Sequence, residues 1–203
     1  MPVVVLVETR VRPPGYPGQM DQLPDLPNAT RDAARWELEF ALDPVAHAIG
    51  FSNALNLLAI RQDTSEMPDA AVASWIKAAE VAAHTGTVDR DMARGTELCA
   101  LMNLIPTLLD QDRAEEALGF AERMITLDSQ GDVRSNSLGT SVEFKANCLR
   151  RLGRTEEELS ARVEALALFA SGKDDPEVPG FTELMSNHTV RRIAEILDEE
   201  PLS

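Results

Sequence analysis

Apolar positions in this chain recur at three- and four-residue spacing in segment after segment, which is the mark of half-buried helices. Phe51, Ala54, Leu55 and Leu58 form one such stripe, and Val72, Trp75, Ile76 and Ala79 a second. Leu98, Leu101, Met102, Ile105, Leu108 and Leu109 keep the same phase through a longer run that contains Pro106. Ala117, Leu118, Ala121, Met124 and Ile125 follow, and then Leu138, Val142, Ala146 and Leu149. Two of these runs open alike. Arg113-Ala114-Glu115-Glu116-Ala117-Leu118 is echoed, 41 residues later, by Arg154-Thr155-Glu156-Glu157-Glu158-Leu159. A period near 40 residues with one helix pair per period predicts an array of helical hairpins.

Turn and cap residues divide the runs. Asn28 or Thr30 is expected to cap a first helix reaching residue 42, and Asp43-Pro44 restarts the chain into a helix over about 45–61. Pro68 opens the next, which Gly86 ends. Asp112 with Glu115, and Thr155 with Glu158, have the spacing of capping boxes. Gly153 closes the helix before Thr155. The predicted hairpins are 45–83, 89–127 and 133–170, with a capping helix over about 181–197. Residues 3–11 are β-branched and read as one strand. Prolines 13, 14, 17, 24 and 27 then make an extended arm. The expected division is an arm over 1–28 and a helical-repeat domain over 29–203.

In the second helix of each hairpin, three positions recur at fixed offsets: Ala71, Trp75 and Ala78; Ala117, Ala121 and Met124; Glu158, Arg162 and Ala165. Gly153, and Asp112 in the middle hairpin, stand where a turn glycine is wanted. Over residues 45–170 the pattern resembles the tetratricopeptide repeat family. Leu104, Ile105 and Leu108 resemble its first-helix signature, which Ala146 and Leu149 match and Lys145 breaks. Glu158 replaces the expected alanine, the period is 41 in one place and about 46 in the other, and the Trp and Tyr signatures are mostly absent. A generic α-solenoid fits the same pattern. The resemblance implies an all-α solenoid of antiparallel hairpins, with first helices lining a concave groove that binds peptides or protein surfaces.

Composition narrows the function. The net charge of −15 argues against nucleic acid and anionic membranes as partners. No apolar run approaches the length of a membrane span. The opening residues are short and lack the basic start of a signal peptide. Cys99 and Cys148 lie in apolar helical runs and read as reduced thiols of a cytoplasmic protein. Sixteen Arg against three Lys suggests a GC-rich, bacterial coding bias.

Each predicted first helix carries an asparagine, Asn56, Asn103 or Asn147, able to donate to and accept from a peptide backbone. In the tetratricopeptide resemblance, Asn147 falls at a groove-lining position. Arg150 and Arg151 follow it within one turn and suit a carboxylate. Residues 113–171 carry a net charge of only −2, against −7 for 29–112 and −5 for 172–203, so an acidic ligand is expected there. His47, His84 and His188 share no metal-ligand spacing. His188 reads as an interior histidine. No phosphate-loop, nucleophile-elbow or dinucleotide motif is present. The expectation is therefore a non-catalytic protein- or peptide-binding adaptor without a cofactor. The alternatives are a structural subunit that dimerises through residues 3–27, an acidic inhibitor of a basic partner, and a small-ligand sensor or enzyme.

Overall fold

The computed structural model describes residues 24–85, 90–130, 135–172 and 180–199. The predicted strand over 3–11 and most of the proline arm lie outside them. The fold is all-α, with consecutive helices packed on one another within each of two compact units, as in an α-solenoid. Unit 1 is Met1–Thr107 and unit 2 is Leu108–Ser203.

In unit 1, α1 (Leu26–Leu42) and α3 (Pro68–Ala82) both pack on α2 (Pro44–Thr64). A short 3-10 turn, Ala83–Thr85, follows α3, and α4 (Arg90–Asp110) begins after it. The cap of α1 is Asp25, not Asn28 or Thr30: its carboxylate accepts from the Asn28 N–H at 2.9 Å. Pro27, expected in the arm, sits instead in the first turn of α1, where its missing N–H costs nothing. Asp43 caps α2 as expected, accepting from Ala46 N–H at 3.1 Å. Ala48, Phe51, Leu55 and Ala59 of α2 meet Val72, Trp75 and Ala79 of α3 in a buried core.

Unit 2 contains α5 (Ala114–Ser129), α6 (Ser135–Arg151), α7 (Thr155–Ser171) and α8 (Phe181–Glu199), each packed on the next. Its core is Val142, Ala146 and Leu149 of α6 against Ala161, Ala165 and Phe169 of α7. At Gly139 the two helices come close: a Cβ there would lie 2.7 Å from the Phe169 ring. Asp128, near the end of α5, is buried and accepts from the hydroxyls of Ser137 and Ser141 on α6.

The periodicity appears as one backbone motif used three times. Glu66, Asp112 and Gly153 adopt φ of 59°, 57° and 69°. At each, two crossed hydrogen bonds close the preceding helix. Met67 N–H donates to Gln62 C=O, Arg113 to Leu108 and Arg154 to Leu149, at 2.9, 2.9 and 3.0 Å. Glu66, Asp112 and Gly153 N–H donate to Asp63, Leu109 and Arg150. This is the Schellman ending, in which one left-handed residue satisfies carbonyls that the helix leaves over. The next helix starts two residues on, at Pro68, Ala114 and Thr155. Asp112 is thus the left-handed residue itself, not a cap. The predicted capping boxes do not form, because Arg113 and Arg154 hold the cap positions without side-chain bonds to the backbone N–H groups of the helix. Each arginine instead grips the glutamate three residues on, Arg113 with Glu116 and Arg154 with Glu157, which is what the two echoing segments share.

Candidate functional site

The polar positions of the third hairpin converge inside unit 2. Counted from the left-handed residues, Ala71, Ala117 and Glu158 are equivalent, as are Trp75, Ala121 and Arg162. All six are buried. Where the other helices place alanine or tryptophan, α7 places an ion pair, with Arg162 0% and Glu158 1% exposed. A guanidinium and a carboxylate that are both out of water need their hydrogen-bonding capacity filled. Here it is. Arg162 donates to Glu158 Oε1 at 3.2 Å, to Asn147 Oδ1 at 2.9 Å, and to the buried Glu143 carboxylate of α6. From α8, Thr189 Oγ1 donates to the other oxygen of Glu143. Arg192 reaches both oxygens of Glu158, at 2.9 and 3.3 Å, and Glu195 Oε2 at 3.1 Å. The network ties three helices together.

Within it, two buried carboxylates, Glu143 and Glu158, face Arg162 and Arg192, and the exposed Glu195 adds a third carboxylate at the edge. Arg150, in the last turn of α6, lies beside the network without joining it. It is half-buried, and no hydrogen bond or ion pair among the described residues engages it. Burial holds its guanidinium pKa below the ordinary value, and the repulsion of Arg192 and Arg162 adds to that; the opposing carboxylate, Glu158, is already held by those same arginines. Asn147 stands one turn earlier on α6, half-buried, its oxygen taken by Arg162 and its amide N–H groups bonded to none of the described residues. Arg151 is exposed. His188 of α8 faces the same region. Burial keeps its imidazole pKa below the ordinary value, with Arg162 and Arg150 pushing the same way and Glu143 and Glu195 opposing. It is half-buried rather than interior, and Leu184, one turn before it on α8, is exposed.

The other two asparagines stand apart. Asn56 lies ten residues before Glu66, Asn103 nine before Asp112, and Asn147 six before Gly153, so they are not equivalent positions of a repeat. Asn56, in unit 1, is 6% exposed; its amide reaches Thr96 C=O of α4 only at 3.5 Å, and its buried oxygen has no partner among the described residues. Asn103 donates back to Cys99 C=O of its own helix at 2.9 Å. The structure therefore brings Asn147, Arg150 and Arg151 together on one end of α6.

Sequence reasoning took Glu158 as a departure from the repeat and Arg162 as one of its recurring positions, and it missed Glu143 and Arg192. The usable signal was the replacement of two apolar repeat positions at once by opposite charges four residues apart, the spacing at which such side chains meet on a helix.

A second feature lies in unit 1. A cleft of about 320 Å³ opens over α2, floored by Phe51, Leu55 and Leu58 and walled by small residues of α1 and α3 such as Ala33, Ala34 and Ala73. The Glu37–Lys77 ion pair, 2.6 Å long, lies along its rim, and Lys77 Nζ sits 5.1 Å from the centre of the Phe51 ring.

Among the described residues no helix is long and apolar enough to cross a membrane, and no three His, Cys, Asp or Glu side chains are grouped to hold a metal. No protein-family model and no curated protein sequence matches the chain.

Proposed function

We propose that this protein is a non-catalytic helical-repeat adaptor of tetratricopeptide-like design that binds an acidic peptide group. The group is a side-chain or C-terminal carboxylate, received by Arg150 with Asn147 and Arg151 around it. The observation that carries this reading is Arg150, half-buried beside two other guanidinia and bonded to none of the described residues. Burial and the repulsion of Arg192 and Arg162 outweigh the attraction of Glu158, so an added anion would stabilise it, and arginine suits the planar carboxylate bidentately. Asn147 has amide N–H groups to spare for the adjoining peptide carbonyl. The repeated Schellman turn supports the repeat design, and the resemblance then implies peptide binding. Binding is favoured over catalysis because Glu143 and Glu158, the buried carboxylates a general acid or base would need, are both committed to arginines.

Selection from a displayed library of peptides with free C-termini tests this. Acidic or carboxylate-terminated sequences should be enriched. Arg150→Ala should weaken a selected peptide by about ten- to a hundredfold, the worth of a hydrogen bond to a charged group. Enrichment that ignores both Arg150→Ala and C-terminal amidation would overturn the reading.

A further inference from the structure

Asn56 is a predicted site residue that the proposed function does not use, and its place in unit 1 has a counterpart in unit 2. It lies ten residues before the left-handed Glu66, and Trp75 lies nine after it. Ten before and nine after Gly153 stand Glu143 and Arg162. Those two bond directly across the α6–α7 hairpin, and Glu143 accepts with its other oxygen from Thr189 of α8, the helix after the hairpin. The α2–α3 hairpin repeats half of this. Asn56 Nδ2 donates to Thr96 C=O of α4, the helix after that hairpin, at 3.5 Å. The tie across the hairpin is the other half. Here Asn56 is 6% and Trp75 2% exposed, and neither Asn56 Oδ1 nor Trp75 Nε1 has a hydrogen-bond partner among the described residues.

Packing register agrees with the repeat count. Ser52, one turn before Asn56 on α2, donates to Ala78 C=O of α3 at 2.7 Å, and Trp75 stands about one turn before Ala78. The hairpin therefore sets Asn56 level with Trp75. Reach explains why the two do not bond as Glu143 and Arg162 do. Measured from Cα, an indole N–H and a carboxamide oxygen extend together about three bonds less than a guanidinium and a carboxylate. That deficit is close to one hydrogen-bond length, about 3 Å, which is what an inserted water adds. Buried waters sit where polar groups would otherwise go unpaired. The chemistry of the two atoms selects water over an ion. The indole N–H only donates and the amide oxygen only accepts, so an anion or a metal ion answers one of them and water answers both. We propose that a water molecule is bound inside unit 1, accepting from Trp75 Nε1 and donating to Asn56 Oδ1, and that it completes across α2 and α3 the tie that Arg162 and Glu143 make across α6 and α7. Asn56 then serves the stacking of α4 on the first hairpin and not a peptide groove. The same positions around Asp112 hold Met102 and Ala121, which need no such tie.

Cross-relaxation between water and the indole protons of the isotopically labelled full-length protein tests it. The chain has two tryptophans, Trp36 and Trp75. Trp36→Phe tells their signals apart; if that variant does not fold, a soluble paramagnetic agent does, because it broadens the half-exposed Trp36 first. The proposal expects a cross-peak from water to the Trp75 indole proton, with opposite signs in laboratory-frame and rotating-frame spectra, the mark of a water held far longer than one at the surface. Ser52→Ala and Thr96→Val remove hydroxyls of the same region and should leave the peak in place, while Asn56→Leu should abolish it. No peak in the wild type, or a peak of equal sign in both frames, overturns the proposal. So does its loss in Ser52→Ala or Thr96→Val, which would assign it to a hydroxyl, or its persistence in a folded Asn56→Leu. Should circular dichroism show Asn56→Leu unfolded, the wild-type and hydroxyl measurements decide alone.

Discussion

Arg162 shows how a single side chain changes what a helix does. At a position where the preceding repeat holds Ala121, it is fully buried and bonded to Glu143, Asn147 and Glu158. Arg162→Ala strands the buried Glu143 carboxylate and leaves Glu158 to Arg192 alone, and we expect a loss of about 3–5 kcal/mol in urea unfolding. Replacing the group together, as Glu143→Met, Glu158→Leu and Arg162→Met, leaves no stranded charge and should cost far less. A triple variant as unstable as Arg162→Ala would mean that the network, not charge burial, governs stability. His188 gives a pH signature. Its pKa is lower folded than its ordinary 6.5, so the unfolded chain takes up the proton first. Its contribution is complete above about pH 6.5 and shrinks as pH falls through the folded value. Between pH 7.5 and 5.5 the wild type should therefore lose more thermal stability than His188→Gln; equal losses would remove His188 from the account.

Helix ends obey the same local chemistry in each hairpin, yet only one of them has the favoured residue. Gly153 takes φ of 69° without strain, whereas Glu66 and Asp112 hold a Cβ in the left-handed region. Gly153→Ala should lower stability by about 1 kcal/mol, while Asp112→Gly and Glu66→Gly should leave it unchanged or raise it by up to about 1 kcal/mol. Opposite signs would show that side-chain contacts, not backbone conformation, decide these turns. Helix contacts offer a second comparison. An added Cβ at Gly50 meets the half-exposed Trp36 ring at 2.4 Å, and at Gly139 the fully buried Phe169 ring at 2.7 Å. Trp36 has solvent to move into and Phe169 has none. Gly139→Ala should thus cost about 1–3 kcal/mol and Gly50→Ala less, despite the shorter distance.

Across the whole molecule, charge is the property that no single contact explains. A net charge of −15 on 203 residues opposes compaction through self-repulsion. Raising the salt concentration from 10 to 150 mM shortens the Debye length from about 30 to about 8 Å. The thermal midpoint of the full chain should rise with it, while the difference between wild type and Arg162→Ala should persist, because buried pairs are poorly screened. A midpoint that falls with salt would place the weight on attractive surface pairs instead.

Local order was written in the residues. Apolar positions at helical spacing marked α2 to α6 to within a few residues, and Asp43-Pro44, Pro68 and Gly153 set three of the boundaries, because caps and turns depend on neighbours a few bonds away. So did the repeated Arg-x-Glu-Glu opening, whose ion pairs close within one turn. What sequence could not decide was which polar residues face inward. Glu158 has the same composition around it as Glu156 and Glu157, but the packing of α6 and α8 on α7 alone buries it, and so turns an acidic first turn into part of a three-helix network. The same packing commits Glu143 and Glu158 to Arg162 and Arg192 and leaves Arg150 without a bonded partner among the described residues. Burial is a property of distant segments meeting. The chain alone carries the period of its helices, and only their assembly selects the charge that remains to be answered.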